Sequence, residues 1–144
     1  MPWVYKRPWP VVAAINLVDG MGQPSATYYF LKRTYEPTHV LLDIKRLLWA
    51  PGEAFPISVN VLNGVDRPGF KGVVQVKILD DSFREVWQVS ENVNVPEGTS
   101  VLKEDMGIYA IPQTYKEKYF FAIVSLTDEH GKVISHAEYW PRTI

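Results

Sequence analysis

From Thr38 to the end of the chain, apolar and polar residues alternate in short segments separated by turn residues. In the segment 55–62, Phe55, Ile57 and Val59 fall on one side of an extended chain, while Pro56 and Ser58 fall on the other. About seven segments of this kind follow one another, which is typical of a sandwich or barrel of antiparallel strands. The pattern therefore predicts a mainly β domain with a core between two layers.

The last two segments, 118–126 and 133–140, flank a polar stretch at 127–132 and are predicted to form a closing hairpin. The first of them is apolar on both faces, with Phe120, Ala122 and Val124 on one side and Tyr119, Phe121 and Ile123 on the other. A strand that is apolar on both faces of a two-layer fold is expected to be covered from outside. Either the leader of the chain or a neighbouring domain could provide that cover.

The leader, residues 1–37, differs from the rest of the chain. Prolines and glycines interrupt residues 1–23, which are expected to be mostly irregular, and a helix is predicted over residues 24–36. Its large apolar side chains surround most of the axis: Tyr28, Tyr29, Phe30, Leu31 and Tyr35. An isolated helix of this length is marginal in water. We therefore expect it to fold back on the Tyr119 face or to pair with a second copy of the chain.

Composition excludes several classes of protein. The chain has no cysteine, so thiol catalysis, thiolate metal sites and disulfides are absent. The net charge is −1 and the 15 Lys and Arg are dispersed, which argues against a nucleic-acid partner. The apolar stretches are too short for a membrane span, and residues 1–23 do not have the pattern of a signal peptide.

The sequence offers no self-contained catalytic set. The three histidines, His39, His130 and His136, do not have the spacing of a zinc motif, and no Gly-x-Ser-x-Gly elbow or phosphate-binding glycine pattern occurs. Neighbouring carboxylates occur at 80–81, 104–105 and 128–129, where turn chemistry and solubility explain them better than catalysis. We therefore predict no catalytic residue, no metal site and no cofactor in this chain.

Aromatic residues leave two interpretations open. The chain has 5 Trp and 8 Tyr, which could form a surface for stacking sugars or could fill the core. Trp87 shares the parity of Val89 and Val93 and is predicted to lie in the core. The other tryptophans lie beside prolines or turns, where burial against another segment is an equal alternative: Trp3, Trp9, Trp49 and Trp140.

The leader carries a specific resemblance. It contains Arg-Pro-Trp-Pro at 7–10, Leu-Val-Asp-Gly-Met-Gly-Gln-Pro at 17–24 and Tyr-Tyr-Phe-Leu-Lys-Arg-Thr-Tyr-Glu-Pro at 28–37. In order and spacing these runs resemble the end of the catalytic barrel in glycoside hydrolase family 2, in its β-mannosidase and exo-β-glucosaminidase-like branch. The resemblance implies that residues 1–37 are the last loop and helix of a TIM barrel. Residues 38–144 would then be an immunoglobulin-like antiparallel β-sandwich of about seven strands.

The resemblance also implies a function. In that family the catalytic glutamates lie on earlier barrel strands, upstream of this chain, so the domain would brace the barrel and neighbouring domains of a bacterial enzyme that is periplasmic or secreted. Trp9 matches a tryptophan near the barrel mouth, and it is the one residue that the resemblance suggests as a sugar contact. The alternative is that Trp9 packs beneath the last barrel helix. The alternatives for the whole chain are a carbohydrate-binding module and a free-standing β-sandwich interaction domain.

Overall fold

The computed structural model describes residues 17–18 and 22–144. The chain divides into two compact units, Met1–Glu36 and Pro37–Ile144. The described part of the first unit contains helix α1, Ala26–Thr34, which begins after an extended Ser25. Lys32 and Arg33 lie in its last turn, where cationic side chains stabilise the negative end of the helix dipole. The helix predicted over 24–36 is thus confirmed, shortened at both ends.

The second unit is described throughout and is built of strands. These are β1 Thr38–Leu42, β2 Leu48–Trp49, β3 Ala54–Asn63, β4 Phe70–Leu79, β5 Glu85–Val95, β6 Ser100–Ala110, β7 Phe121–Asp128, β8 Val133–Tyr139 and β9 Arg142–Thr143. A three-stranded sheet has the order β1-β3-β6, and a four-stranded sheet has the order β5-β4-β7-β8. All pairs within these two sheets are antiparallel, whereas β2 and β9 form a short parallel pair. The predicted immunoglobulin-like β-sandwich with seven main strands is confirmed.

The core lies between the two sheets and follows the alternation of the sequence. Residues of one parity are buried along the central strands, among them Val59 and Val61 on β3 and Val74 and Val76 on β4. The predicted inward face of β7 is confirmed, because Phe120, Ala122 and Val124 are completely buried. Aromatic rings join the layers at one end, where Phe55 and Phe120 meet edge to face with centroids 5.3 Å apart.

Trp87 packs against this core, as its parity predicts. The approach requires a glycine on the opposing sheet, because a Cβ added at Gly107 would lie 2.9 Å from Cζ2 of the Trp87 ring. Strand β6 is irregular just before this point, with a shift in its register against β3 and a positive φ of 52° at Asp105. Gly107 therefore serves inter-sheet packing as well as the bulge.

Side chains close one side of the sandwich. Strand β1 is the edge of its sheet, and two of its backbone N–H groups donate to hydroxyls of β8: Val40 N to Ser135 Oγ at 3.3 Å and Leu42 N to the Tyr139 hydroxyl at 3.2 Å. These bonds satisfy donors that would otherwise be unpaired near the core. The broad surfaces left to meet other molecules are the outer faces of the two sheets.

Candidate functional site

The outer face of the four-stranded sheet changes character along its strands. In the middle it is polar, because the register aligns Ser90, Gln75, Ser125 and His136 across β5, β4, β7 and β8. Towards the end of β4 and the start of β7 it becomes apolar, with Leu79 opposite Phe121. The sequence prediction of an apolar outer face at Tyr119, Phe121 and Ile123 is therefore confirmed, and this face becomes polar beyond Ile123, where Ser125 and Thr127 follow.

Aromatic side chains gather at the apolar end. The pairing of Ala122 with Tyr139, and of Tyr119 with Arg142 in an isolated bridge, places Trp140 opposite Phe121. Trp140 is 52% exposed and Tyr119 45% exposed, while Phe121 is half-buried between its neighbours. The guanidinium of Arg142 lies over the Tyr119 ring, 5.6 Å from its centroid. We call Tyr119, Phe121 and Trp140, together with Phe83, the aromatic row.

Phe83 joins the row from the β4–β5 turn. Its ring stacks on Phe121 with centroids 4.7 Å apart and planes inclined by 24°, yet the residue remains 68% exposed. Its φ is +59°, in the left-handed region where a bulky side chain is unusual. The fold thus holds a large apolar side chain at the surface in a backbone conformation that favours glycine or asparagine.

Asp80 builds this turn. Its Oδ1 accepts hydrogen bonds from the backbone N–H groups of Ser82 and Arg84 at 2.8 and 2.9 Å, and its Oδ2 accepts from the Arg84 guanidinium at 2.7 and 2.9 Å. These donors, the Arg84 N–H first among them, hold the pKa of the Asp80 carboxyl below its ordinary value of 3.8. The carboxylate is buried and fixes the loop that carries Phe83.

Two lysines near the aromatic row form ion pairs. Lys77 lies two residues before Leu79 on the same face of β4, and its Nζ is 2.8 Å from Oε2 of Glu85. Lys118 precedes Tyr119, and its Nζ is 2.9 Å from Oδ2 of Asp81 in the Phe83 turn. The ion-paired side chains can still form hydrogen bonds with a ligand. Because their charges are already neutralised, the ligand does not have to carry a charge.

The outer face of the three-stranded sheet is aliphatic. Leu41 and Leu102 lie on either side of Asn60 across β1, β3 and β6, and Pro56 lies opposite Ile108. Leu41, Leu102 and Ile108 are 40%, 51% and 63% exposed. The amide oxygen of Asn60 is enclosed and has no hydrogen-bond partner among the described residues. We call Leu41, Pro56, Leu102 and Ile108 the aliphatic face.

The remaining sequence candidates lie elsewhere. Trp9 lies outside the described residues, so its role as a sugar contact stays a prediction. Asp80 and Asp128 each organise a turn, and His136 lies on a strand 3.3 Å from Oε1 of Glu138. Trp49 is buried, whereas Trp140 is not. In the described part of the chain no group of three His, Asp or Glu side chains is placed to hold a metal ion, and no helix is long and apolar enough to span a membrane.

An open depression of about 660 Å³ lies away from the aromatic row, at the opposite end of the four-stranded sheet. Lys71, Asn92, Lys103 and Glu129 are among its lining residues, and Glu129 is the one carboxylate in that lining. Hydrolysis of a glycosidic bond ordinarily requires two carboxyl groups that flank the bond. The lining of the depression does not contain such a pair.

Sequence reasoning missed Phe83. The signal was present as a comparison inside the chain, since the two hairpin turns Asp80-Asp81-Ser82-Phe83-Arg84 and Asp128-Glu129-His130-Gly131-Lys132 have the same pattern of residue types except at the fourth position. A phenylalanine at a position that the other turn fills with glycine is the signal that could have singled out Phe83.

Two antiparallel sheets that enclose one core define this protein as an immunoglobulin-like β-sandwich domain. Its residues 56–144 match the family model described as the mannosidase Ig/CBM-like domain. The chain belongs to this family, which confirms the relation to family 2 glycosidases inferred from the sequence. A search of curated protein sequences finds no match.

Solved structures show the same fold. A β-D-mannosidase from Dictyoglomus thermophilum is similar over 89% of this chain and 14% of its own, with a TM-score of 0.60 and 20% identity. The Amycolatopsis orientalis exo-chitosanase is similar over 88% and 13%, with a TM-score of 0.60 and 19% identity. A Bacteroides uniformis β-glucuronidase matches over 72% and 14%, with a TM-score of 0.53 and 9% identity. The chain thus spans about a seventh of the length of each of these proteins.

Proposed function

We propose that this chain is an accessory domain of a bacterial family 2 glycoside hydrolase, and that it braces the catalytic barrel and its neighbours without an active site of its own. Hydrolysis of O-glycosidic bonds would belong to the intact enzyme, which we expect in the periplasm or outside the cell. Membership of the mannosidase Ig/CBM-like family supports the accessory role. The aliphatic face is the observation that favours bracing.

The chemistry of the aliphatic face suits contact with another protein domain. Its exposed side chains are branched aliphatics and a proline, with little to offer to the hydroxyl groups of a sugar or to water. Leu41 and Leu102 flank Asn60, and Pro56 and Ile108 form a second apolar pair along the same strands. Exposed apolar side chains clustered in this way mark interaction surfaces. The enclosed and unpartnered amide of Asn60, between Leu41 and Leu102, is a polar group that a docked segment could satisfy after a small side-chain rotation.

Substitution on this face in the intact enzyme tests the bracing role. Leu102→Lys and Ile108→Lys place charges where an apolar contact is proposed, so we expect faster heat inactivation of aryl β-glycoside hydrolysis. Asn92→Lys is the matched control, because Asn92 is exposed on a strand of the opposite sheet. If the aliphatic variants and the control lose activity at the same rate, bracing through this face is wrong.

The proposed lack of an active site is tested with this chain alone. Aryl β-mannoside, β-galactoside, β-glucuronide and β-glucosaminide should not be hydrolysed above the rate in buffer. Turnover that persists through purification and is first order in the protein would contradict the proposal.

We further propose that the leader helix associates with the barrel in the intact enzyme and with a second copy when the barrel is missing. None of the residues of α1 is buried, and Tyr29 and Phe30 are 52% and 46% exposed. Sedimentation of this chain should show concentration-dependent dimers that Tyr29→Ser with Phe30→Ser abolishes. A parent chain that remains monomeric at high concentration would contradict self-association.

A further inference from the structure

We propose that the aromatic row, Phe83, Phe121, Trp140 and Tyr119, is a carbohydrate-binding surface that takes uncharged pyranose units of an oligosaccharide or polysaccharide. It is separate from the aliphatic face and lies on the other sheet, so it does not depend on the bracing role. Phe120 and Ala122 already fill the core on the other face of this strand and are completely buried, so the exposed rings are not needed to complete that core.

The strongest argument is the conformation of Phe83. A phenylalanine with a φ of +59° is unfavourable by itself, and its ring is 68% exposed, so hydrophobic burial returns little of that cost. Strained residues persist where the surrounding structure enforces them, and they cluster at binding sites. Here Asp80 enforces the strain, because its carboxylate fixes the backbone N–H groups on either side of Phe83.

The exposed rings of the row can meet a sugar ring. Trp140 lies opposite Phe121 on the neighbouring strand, about 4.8 Å away along the sheet. Phe83 stacks on Phe121 and is itself 68% exposed, so the outer face of the Phe83 ring is open to a ligand. Pyranoses have an apolar face of C–H groups, which packs against the electron-rich face of an aromatic ring. Phe83, Trp140 and Tyr119 are exposed at 68%, 52% and 45%, so a ligand bound there can continue beyond the row, as a polysaccharide chain requires.

The surroundings supply hydrogen bonds without a net charge to attract an ion. Lys77 is paired with Glu85 and Lys118 with Asp81. Glu138, two residues before Trp140, and Arg142, over the Tyr119 ring, add one negative and one positive charge. Hydroxyl groups both donate and accept, so mixed donors and acceptors at the border of a ring platform suit them. Another protein domain would favour the aliphatic face, where such groups are scarce.

Affinity electrophoresis and calorimetry with the full 144-residue chain test the proposal. The probes are galactomannan, xylan and hydroxyethylcellulose in the gel, and β-1,4-mannohexaose and cellohexaose in solution. We expect retardation by at least one polysaccharide and a millimolar or tighter dissociation constant for the matching hexasaccharide. Absence of retardation and of heat with every probe would overturn the proposal.

Variants distinguish binding from a structural role. Trp140→Ser and Phe83→Gly should each weaken binding by at least tenfold, while the urea midpoint of Phe83→Gly stays close to that of the parent. Val65→Ser is the matched control, because Val65 is an exposed apolar residue in the connection before β4, at the other end of that strand from the row, and it should bind as the parent does. If Phe83→Gly binds normally, or if row variants change the sedimentation mass and leave sugar binding intact, the row is not a sugar site but a packing or protein-contact surface.

Discussion

Two hairpin turns of the four-stranded sheet, 80–84 and 128–132, share one design and differ in one position. In each turn the first aspartate accepts hydrogen bonds from the third and fifth backbone N–H groups, and the backbone of the first and fifth residues closes the loop at 2.9 Å. The fourth residue has a positive φ in both, +59° at Phe83 and +80° at Gly131. Glycine is what this geometry favours, so Phe83 is the unfavourable residue of the two.

The difference shows how the fold supports an unfavourable residue. In the Phe83 turn the aspartate is buried and its second oxygen also holds the Arg84 guanidinium. In the Gly131 turn, a Cβ would meet no atom within 4 Å, so its backbone conformation is the only constraint on that position. Asp80, which accepts more hydrogen bonds than Asp128, thus lies in the turn whose fourth residue is the less favourable one at positive φ.

The largest effect should come from removing that support. Asp80→Ala leaves the N–H groups of Ser82 and Arg84 and the Arg84 guanidinium without their acceptor, and it frees Phe83 from its enforced conformation. We expect a greater loss of unfolding free energy than for Asp128→Ala in the sister turn, as measured by urea denaturation. Equal losses at the two aspartates would show that the turns are supported alike.

Acid should weaken both turns in the same sense. The pKa values of Asp80 and Asp128 are lowered in the folded state, chiefly by the backbone N–H groups of Arg84 and Lys132. A lowered folded pKa means that the stabilisation is present above the unfolded value, here 3.8, and is lost as pH falls through the folded value. The urea midpoint should be nearly constant from pH 7 to about pH 5 and fall below about pH 4.

The double variant Asp80→Asn with Asp128→Asn provides the control for this acid transition. It should reduce the decrease without removing it, because the pKa of Glu53 is lowered as well, first by the Ala50 N–H and then by Arg46. A double variant with the same acid dependence as the parent would assign the transition to other carboxylates.

Gly131→Ala isolates the cost of the left-handed conformation. Because the new Cβ meets open space, two terms decide the change in stability. Backbone strain destabilises the folded state, and the smaller conformational entropy of the unfolded chain offsets part of it, which leaves about 1 kcal/mol of destabilisation. Urea denaturation measures it directly. A stability equal to that of the parent would mean that the turn relaxes to accommodate the side chain.

Phe83→Gly should have the smallest effect. Relief of the strained backbone offsets the loss of the ring stacked on Phe121, which is worth about 0.5–1.5 kcal/mol, so stability should remain within about 1 kcal/mol of the parent. Phe83→Ala loses the ring but keeps the strain, and it should be less stable than Phe83→Gly by about 1 kcal/mol. If alanine is the more stable of the two, Phe83 is not held under strain.

Periodicity predicted much of this molecule because it is a local property. Alternation assigned Val59, Val76 and Val124 to the interior, since successive side chains of a strand point to opposite faces whatever the strand pairs with. The apolar segment after residue 24 and the proline at 37 similarly predicted a single short helix. The resemblance of the leader then identified the family, which pattern alone could not do.

The tertiary structure decided what the sequence left open, namely which side chains meet. Trp140 could have been buried or exposed, and the register between β7 and β8 placed it beside Phe121 on the outside. Trp87 was assigned inward by parity, but its dependence on Gly107 follows only from the distance between the two sheets. Register and inter-sheet spacing are set by packing between segments far apart in the chain, so no local pattern contains them. The sequence by itself determined the faces of the strands, and the packing of those strands determined that four aromatic residues form one surface.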